Sequence, residues 1–594
     1  MSAPAAGAQE WRDVPWPRVE RAVHALQRRI YRASQKGDRR TVHRLQRLLM
    51  SSWSAKCLAI RQVTQDNQGK RTPGIDGVAA LTPEERVSLI SRLSLDAKPQ
   101  PVRRVWIPKP GTDEQRPLGI PTIYDRAVQA LVKLALEPQW EAKFEPNSYG
   151  FRPGRSCHDA IEAIFGVTHL QAKYVLDADI AKCFDRIGHD ALLAKIDTFP
   201  LVRRLVKGWL QAGVLDGDTL FPTEQGTPQG GVISPLLANI ALHGLEDHLR
   251  SAFPRSRKVD GQSTPWQPHV IRYADDFVVL HRDREVIRRC HQLAQEWLAG
   301  LGLELKPSKT RFAHTLSDEG GGCGFHFLGF HVRQFPMGKH RSGKLRGDRK
   351  LGFKTLIKPS QEKVRLHYRK LAGIARRMSS CTQGELIRVL RPVIRGWSNY
   401  YRAAHSKRTF QTLDHLLFRV LWRWAKRRHH DKGARWIARR YWRMPGWTFG
   451  CRDGPTLPTH FATPIRRHVK VQGGKSPFDG DWLYWTSRMG RYPGISCWLA
   501  MLIRQQKGAC AHCGQYLMPG SLLEVHHVYG RQDNGRTREL VAVHRHCHDR
   551  IHGPNSDPGS VDDNNEPTEE PDEAKVSRPV LKTTAPGDRR GEFT

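Results

Sequence analysis

Cysteine is scarce in this chain, with eleven in 594 residues. Only Cys510, Cys513 and Cys547 lie close together, so no disulfide framework is indicated and the other thiols suit single buried positions in a reducing compartment. Long apolar runs are missing too. Nowhere do about eighteen apolar residues follow one another, which argues against a membrane span, and Met1 to Trp11 lacks the apolar stretch of a leader. A cytoplasmic protein with no membrane partner is expected. Acidic residues are also in short supply: 58 Asp and Glu face 96 Lys and Arg, a formal net charge of +38. Such an excess repels itself unless a polyanion neutralises it. The charge runs through nearly every segment and is interleaved with Trp and Tyr, which points to nucleic acid.

At roughly 150 residues per domain the chain has room for about four units. Apolar residues at helical spacing (Val19, Val23, Leu26, Ile30; Val42, Leu45, Leu49) amid many arginines predict two basic helices around Gly37. An α+β body then runs to about residue 340, with strand-like pieces at 102–107, 174–180, 270–280 and 325–332. Residues 361–445 read as helical. A Gly/Pro/Trp-rich connector follows to about residue 500, then a Cys/His cluster, then an acidic tail from Gly553 expected to be disordered.

The chemistry concentrates on carboxylates. Tyr273-Ala274-Asp275-Asp276 lies between apolar runs, so two adjacent acids occupy the turn of an otherwise buried hairpin. Their desolvation is costly unless cations bind. Tyr174-Val175-Leu176-Asp177-Ala178-Asp179 reads as a second buried strand ending in acids. Bringing Asp179 beside Asp275 would create a cradle for two Mg²⁺ ions, the machinery of nucleotidyl transfer. A lone Asp-Asp pair is more often a polar turn, and the neighbouring motifs decide against that here.

Those motifs are Gln225-Gly226-Thr227-Pro228-Gln229-Gly230-Gly231 and Phe327-Leu328-Gly329-Phe330. Together with Asp179 and Tyr-Ala-Asp-Asp, the chain resembles the reverse transcriptases encoded inside bacterial group II introns, over roughly residues 60 to 550. The resemblance implies a multidomain α+β fold: a right-hand polymerase of fingers, palm and α-helical thumb, plus a small zinc-stabilised ββα-metal domain. Its expected parts are N-terminal basic helices and the start of the fingers (1–100), fingers and palm (101–340), helical thumb or maturase domain (341–445), DNA-binding connector (446–500), HNH endonuclease domain (501–553) and acidic tail (554–594). It also implies that Asp179, Asp275 and Asp276 are the catalytic Mg²⁺ ligands, while Asp177 and Asp185 stay structural. Phe184 matches the aromatic that crowds the sugar 2′-position. Gln225 and Gly226 would lie under the incoming base pair, and Lys109 and Arg116 would reach the triphosphate of the dNTP from a fingers hairpin. Lys309 is a further candidate near the substrate, and Arg152 and Arg155 would face template phosphates. Gly396-Trp397-Ser398-Asn399-Tyr400-Tyr401 resembles the maturase region, whose aromatics read more readily as helix packing than as base stacking. The partner implied is the intron's own RNA.

Near the C-terminus, Cys510-x-x-Cys513 with His544-x-x-Cys547 supplies four soft ligands at spacings suited to structural Zn²⁺. Between and after them, Glu524-Val525-His526-His527, His548 and His552 are arranged as in HNH nucleases, with His552 a further candidate participant. His527 would be the general base, and His526 and His548 would hold a divalent cation beside the scissile phosphate of target DNA. Glu539 stands where that family usually has Asn, and Asn534 lies early to replace it. This leaves two readings: a DNA nickase that primes intron retrohoming, or a zinc-stabilised DNA-binding remnant.

Overall fold

A computed structural model describes residues 10–108, 115–217, 219–227, 230–259, 261–319, 322–338, 350–443, 446–490, 495–528 and 540–552. The described residues form two compact units, one from the segments Met1–Lys143 and Lys182–Leu242, the other from Phe144–Ala181 and His243–Ala574. This division cuts across the expected 101–340 domain. No described helix is long and apolar enough to cross a membrane.

In the first unit the predicted basic helices are present as Trp16–Gln35 and Arg39–Ser51, broken at Gly37, whose φ of 72° an L side chain rarely adopts. Asp38 caps the second helix by accepting from the Thr41 amide. Val19, Val23, Ile30, Val42, Leu45 and Leu49 are buried, and the stripe they form packs on the helix Ile123–Glu141. A four-stranded sheet has the order β2-β1-β4-β5, built from β1 (Val102–Pro108), β2 (Gln115–Ile120), β4 (Val214–Asp216) and β5 (Thr219–Phe221). Strands β1 and β2 form the anticipated hairpin, Arg116 opposite Ile107.

The second unit holds a sheet of order β10-β3-β9-β8, made of β3 (Tyr174–Asp179), β8 (His269–Tyr273), β9 (Asp276–His281) and β10 (Arg311–His314). The helices Cys157–Thr168 and Arg284–Ala299 pack on it. Val175, Ile271, Val278 and Leu280 supply its buried faces. A short hairpin, β6 (Ser256–Val259) with β7 (Gln262–Pro265), precedes β8.

Two expectations change here. The stretch 325–332 is not one strand: β11 (Phe325–Phe327) turns at Leu328 and Gly329, with φ of 49° and 78°, into β12 (Phe330–Pro336). Two successive positive φ values are what a tight hairpin requires. The helical domain also does not begin at 341, because β13 (Phe353–Pro359) pairs with β12 along its whole length.

The helices Gln361–Arg377, Gln383–Tyr401 and Lys407–Arg428 follow. Trp397, Tyr400 and Tyr401 are buried in the core, as packing rather than base stacking requires. The hydroxyls of Tyr400 and Tyr401 donate to the carbonyls of Leu328 and Gly329 at 3.0 and 3.1 Å. Helix and hairpin turn are thereby pinned together. Beyond a small ribbon, β14 (Trp442–Arg443) with β15 (Thr448–Phe449), the connector packs closely against its own unit. Buried Asp159 accepts from Arg488 (2.6 Å), His468 (3.0 Å), the Val471 amide (2.7 Å) and the Ser156 amide (2.8 Å). The last bond is half of the capping box that starts the helix Cys157–Thr168. C-terminal to the helices Trp482–Met489 and Cys497–Gln505, β16 (Leu523–His527) pairs with β17 (Leu540–His544), and the helix Arg545–His552 closes a small core around Leu499, Ile503, Leu517 and Val543.

Burial pushes the Asp159 carboxyl up, but His468, Arg488 and the Val471 amide outweigh it and hold the group below its usual range. Asp159→Asn is expected to cost about 3–5 kcal/mol, the loss typical of a broken buried ion pair, read by urea denaturation; a loss below about 1 kcal/mol would contradict this role. Burial also pushes neighbouring His158 down to about 4 from its ordinary 6.5. The folded form then binds fewer protons than the unfolded chain, so this contribution is complete above pH 6.5 and fades as pH falls towards 4. Thermal melts across that range should show the decline, and His158→Gln should flatten it.

Candidate catalytic and metal centres

The polymerase-type site grows out of the antiparallel pairing of β3 with β9, whose register sets Asp179 opposite Asp276. Alternation along β3 puts Asp177 and Asp179 on one face, and the strand ends there because the Ile180 amide turns to the Asp275 carbonyl at 3.4 Å. In the β8–β9 turn Ala274 has φ of 57°, a conformation costing about 1–2 kcal/mol for a residue with a Cβ. Gly150 explains how the turn is supported from below: its Cα abuts the Ala274 backbone so closely that a methyl group there would run into the Ala274 nitrogen.

Asp179 is buried, while Asp275 and Asp276 are half-buried. Among the described residues these three carboxylates do not form a cluster with all ligand atoms within 4.8 Å, as the Cys/His set does. Instead the Lys309 ammonium bonds Asp179 at 2.8 Å, and the Lys306 amide donates to the Asp179 carbonyl at 2.8 Å. A cation therefore already sits on the first carboxylate, and the donor set of hard oxygens fits Mg²⁺. Burial pushes Asp177 up to about 7, with Asp179 adding to the rise and Arg311 opposing it.

In the first unit Phe184 and the Gly-rich loop come together. The Phe184 carbonyl accepts from the Thr227 amide, Gly226 bonds Ile187, and His189 Nε2 lies 2.8 Å from the Gly226 carbonyl. Gly226 has φ of 84°, and a methyl group on it would collide with the backbone of Asp185. Gln225 bridges Gly188. Arg116 is exposed on β2, while Lys109, Pro228 and Gln229 lie outside the described residues.

The expectation for Arg152 and Arg155 is corrected. Both are buried: Arg152 donates to the carbonyls of Glu145 (2.7 Å) and Ser148 (2.9 Å), and Arg155 to those of Pro146 (2.7 Å) and Gly473 (2.8 Å). A guanidinium's fixed fork suits clustered carbonyls as well as phosphates, and these forks are spent inside the fold.

In the C-terminal module the Sγ atoms of Cys510, Cys513 and Cys547 and a ring nitrogen of His544 all lie within 4.8 Å of one another. Bonds from Cys513 and Cys547 hold the Cys510 thiol far below its usual range. Three thiols and an imidazole facing one point fit a tetrahedral zinc. A second group joins His526, His548 and His552 within the same limit, so His552 belongs with the two expected ligands. Burial and the neighbouring imidazoles lower the His526 pKa. Glu524 bonds His548 Nδ1 at 2.9 Å and Arg545 at 3.2 Å, orienting the ring. His527 is exposed and follows His526 as the last residue of β16. Glu539, Asn534 and the acidic tail lie outside the described residues.

Three family models match the chain: "Reverse transcriptase (RNA-dependent DNA polymerase)" over residues 107–332, "N-terminal domain of reverse transcriptase" over 11–93, and "Group II intron, maturase-specific domain" over 364–442. Group II intron-encoded protein LtrA of Lactococcus lactis subsp. cremoris is 30% identical over 425 residues, covering 59% of this chain and 69% of that protein. Protein YkfC of Escherichia coli is 34% identical over 324 residues, 49% of this chain and 83% of that protein. A 91 kDa protein in the cob intron of Schizosaccharomyces pombe is 28% identical over 384 residues, 54% of this chain and 45% of that protein. With carboxylates set at paired strand ends, a reverse-transcriptase match across that sheet and a maturase match across the helices behind it, the chain belongs to the group II intron-encoded reverse transcriptases that carry a maturase domain.

Proposed function

We propose that the protein copies its own intron RNA into DNA at Asp179, Asp275 and Asp276, helps that RNA to splice, and nicks target DNA with its C-terminal module to prime insertion. The observation that carries the polymerase assignment is the β3–β9 register with a cation already on Asp179. Asp179, Asp275 and Asp276 would hold magnesium, which would lower the pKa of the primer 3′-hydroxyl and neutralise the pyrophosphate leaving group. The chain's own part is to hold the carboxylates in place and to offer Lys309 as a mobile charge beside the substrate. Phe184, whose carbonyl accepts from the Thr227 amide, and the Gln225-Gly226 turn sort the incoming dNTP. The exposed arginines and lysines of the helices Gln361–Arg377 and Lys407–Arg428 bind intron RNA phosphates.

In the C-terminal module Cys510, Cys513, His544 and Cys547 hold a structural zinc. His526 and His548, with His552, hold a divalent cation, and His527 takes the proton from water attacking the DNA phosphate. The favoured reading is an active nickase, supported by a complete imidazole cluster oriented by Glu524.

Asp275→Ala should abolish primer extension on an RNA template while leaving intron RNA binding intact; surviving synthesis would remove the assignment. Binding should weaken with salt by about 0.7 log units per log unit of salt for each neutralised phosphate, and a flat response would contradict the charge argument. The purified protein should carry one zinc per chain, lost in Cys513→Ser. His527→Ala should keep that zinc yet nick DNA about 10²–10⁴-fold more slowly. Absence of metal-dependent nicking by the unaltered protein would leave the module as a DNA-binding remnant.

A further inference from the structure

The segment from Glu145 to Gly150 meets the edge of β8 through a single isolated bridge. Ser148 bridges Arg272 in parallel, the Arg272 amide donates to the Asn147 carbonyl at 3.0 Å, and the Tyr149 amide donates to the Arg272 carbonyl at 2.9 Å. The buried arginines Arg152 and Arg155 tie down this segment through the carbonyls of Glu145, Pro146 and Ser148. Its far end, Gly150, is the residue wedged beneath Ala274. Its near end, Glu145, is buried and faces the Arg272 guanidinium at 3.8 Å.

Arg272 is also buried, and its Nη1 donates to the Ala274 carbonyl at 3.2 Å. That carbonyl belongs to the peptide leading into Asp275. Glu145 is itself fixed, accepting from the Gly244 and Glu246 amides at 2.9 Å each and lying 3.5 Å from His243. Burial pushes the Glu145 carboxyl up, yet His243, Arg272 and the amides hold it below its usual value, so it stays charged opposite the guanidinium. This charge balance has a consequence for the site. A bare buried guanidinium beside the turn would repel the cations that the carboxylates gather, whereas the paired one supplies geometry with little net field.

We propose that Arg272, braced by Glu145, is a positioning residue for the metal-binding turn: its guanidinium fixes the Ala274–Asp275 peptide in its left-handed conformation and so aims the Asp275 carboxylate. This rests on the assignment of Asp179, Asp275 and Asp276 as metal ligands. It deepens that assignment by naming what holds the turn, and it gives Gly150 with the buried Arg152 and Arg155 the role of a clamp. Lysine can pair with Glu145 as a point charge, but it lacks the planar fork needed to hold the carboxylate and the carbonyl together.

The test is steady-state primer extension on an RNA template by the full-length protein, titrated with Mg²⁺, for Arg272→Lys, Glu145→Gln and Asp275→Ala. A loosened turn misplaces one ligand, so Arg272→Lys should lower kcat on the order of 10²-fold. The Mg²⁺ midpoint should rise, while KM for dNTP, intron RNA affinity and zinc content stay unchanged. Glu145→Gln should raise the Mg²⁺ midpoint in the same direction. The proposal is overturned if Arg272→Lys keeps the unaltered kcat and Mg²⁺ midpoint while Asp275→Ala is inactive, or if its loss of activity merely tracks loss of RNA binding and zinc. If Asp275→Ala still polymerises, the metal-ligand assignment itself falls, a distinct outcome.

Discussion

The pairing of β3 with β9 is the constraint on which the active face depends. It brings two acids from strands nearly a hundred residues apart in the chain into one register, Asp179 opposite Asp276, and leaves a third, Asp275, on the adjoining turn. Like charges that close together in a partly buried place are costly unless a cation joins them. Lys309 answers that need on Asp179. A monovalent, flexible ammonium is a weak competitor for a divalent ion and can yield to one, as the proposed metal site requires.

Around that register the second unit is tied together by buried polar bonds. Asp159 gathers donors from 156, 468, 471 and 488, while the hydroxyls of Tyr400 and Tyr401 grip the turn that follows β11. Each bond alone contributes about a kcal/mol. Their direction matters more, since one set ties the helix Cys157–Thr168, which packs on the β3–β9 sheet, to the connector. The other ties the maturase-matched helix Gln383–Tyr401 to the β11–β12 turn, all within one unit. The helices proposed to bind RNA thus belong to the same packed unit as the carboxylates.

Much of this was legible in the sequence because the signals were local and periodic. The apolar spacing of the first two helices, the hairpin around Asp275 and Asp276, and the Cys510/Cys513/His544/Cys547 spacing each follow from short-range geometry, and each appears as expected. The misreadings share a physical cause. An arginine beside glycine and proline looks the same whether its fork meets a phosphate or a ring of carbonyls, and only tertiary burial decides, as it did for Arg152 and Arg155. Phe327-Leu328-Gly329-Phe330 read as strand because three of its residues favour strands, yet the turn is set by tyrosines about seventy residues away. β13 was hidden behind a basic, glycine-containing segment, although its Phe353, Thr355 and Ile357 do alternate inward. Lys309 is legible as a candidate near the substrate, but no local pattern announces its salt bridge to Asp179 across the end of a strand.

The central claim, that three aspartates at the β3–β9 strand ends gather divalent metal, is tested most directly by anomalous diffraction from crystals of the protein with Mn²⁺, an RNA–DNA primer-template and an incoming nucleotide. The account predicts manganese peaks between Asp179 and Asp275, with the Lys309 ammonium withdrawn from Asp179 towards the nucleotide phosphates. Manganese bound elsewhere, with Lys309 still seated on Asp179, would contradict it.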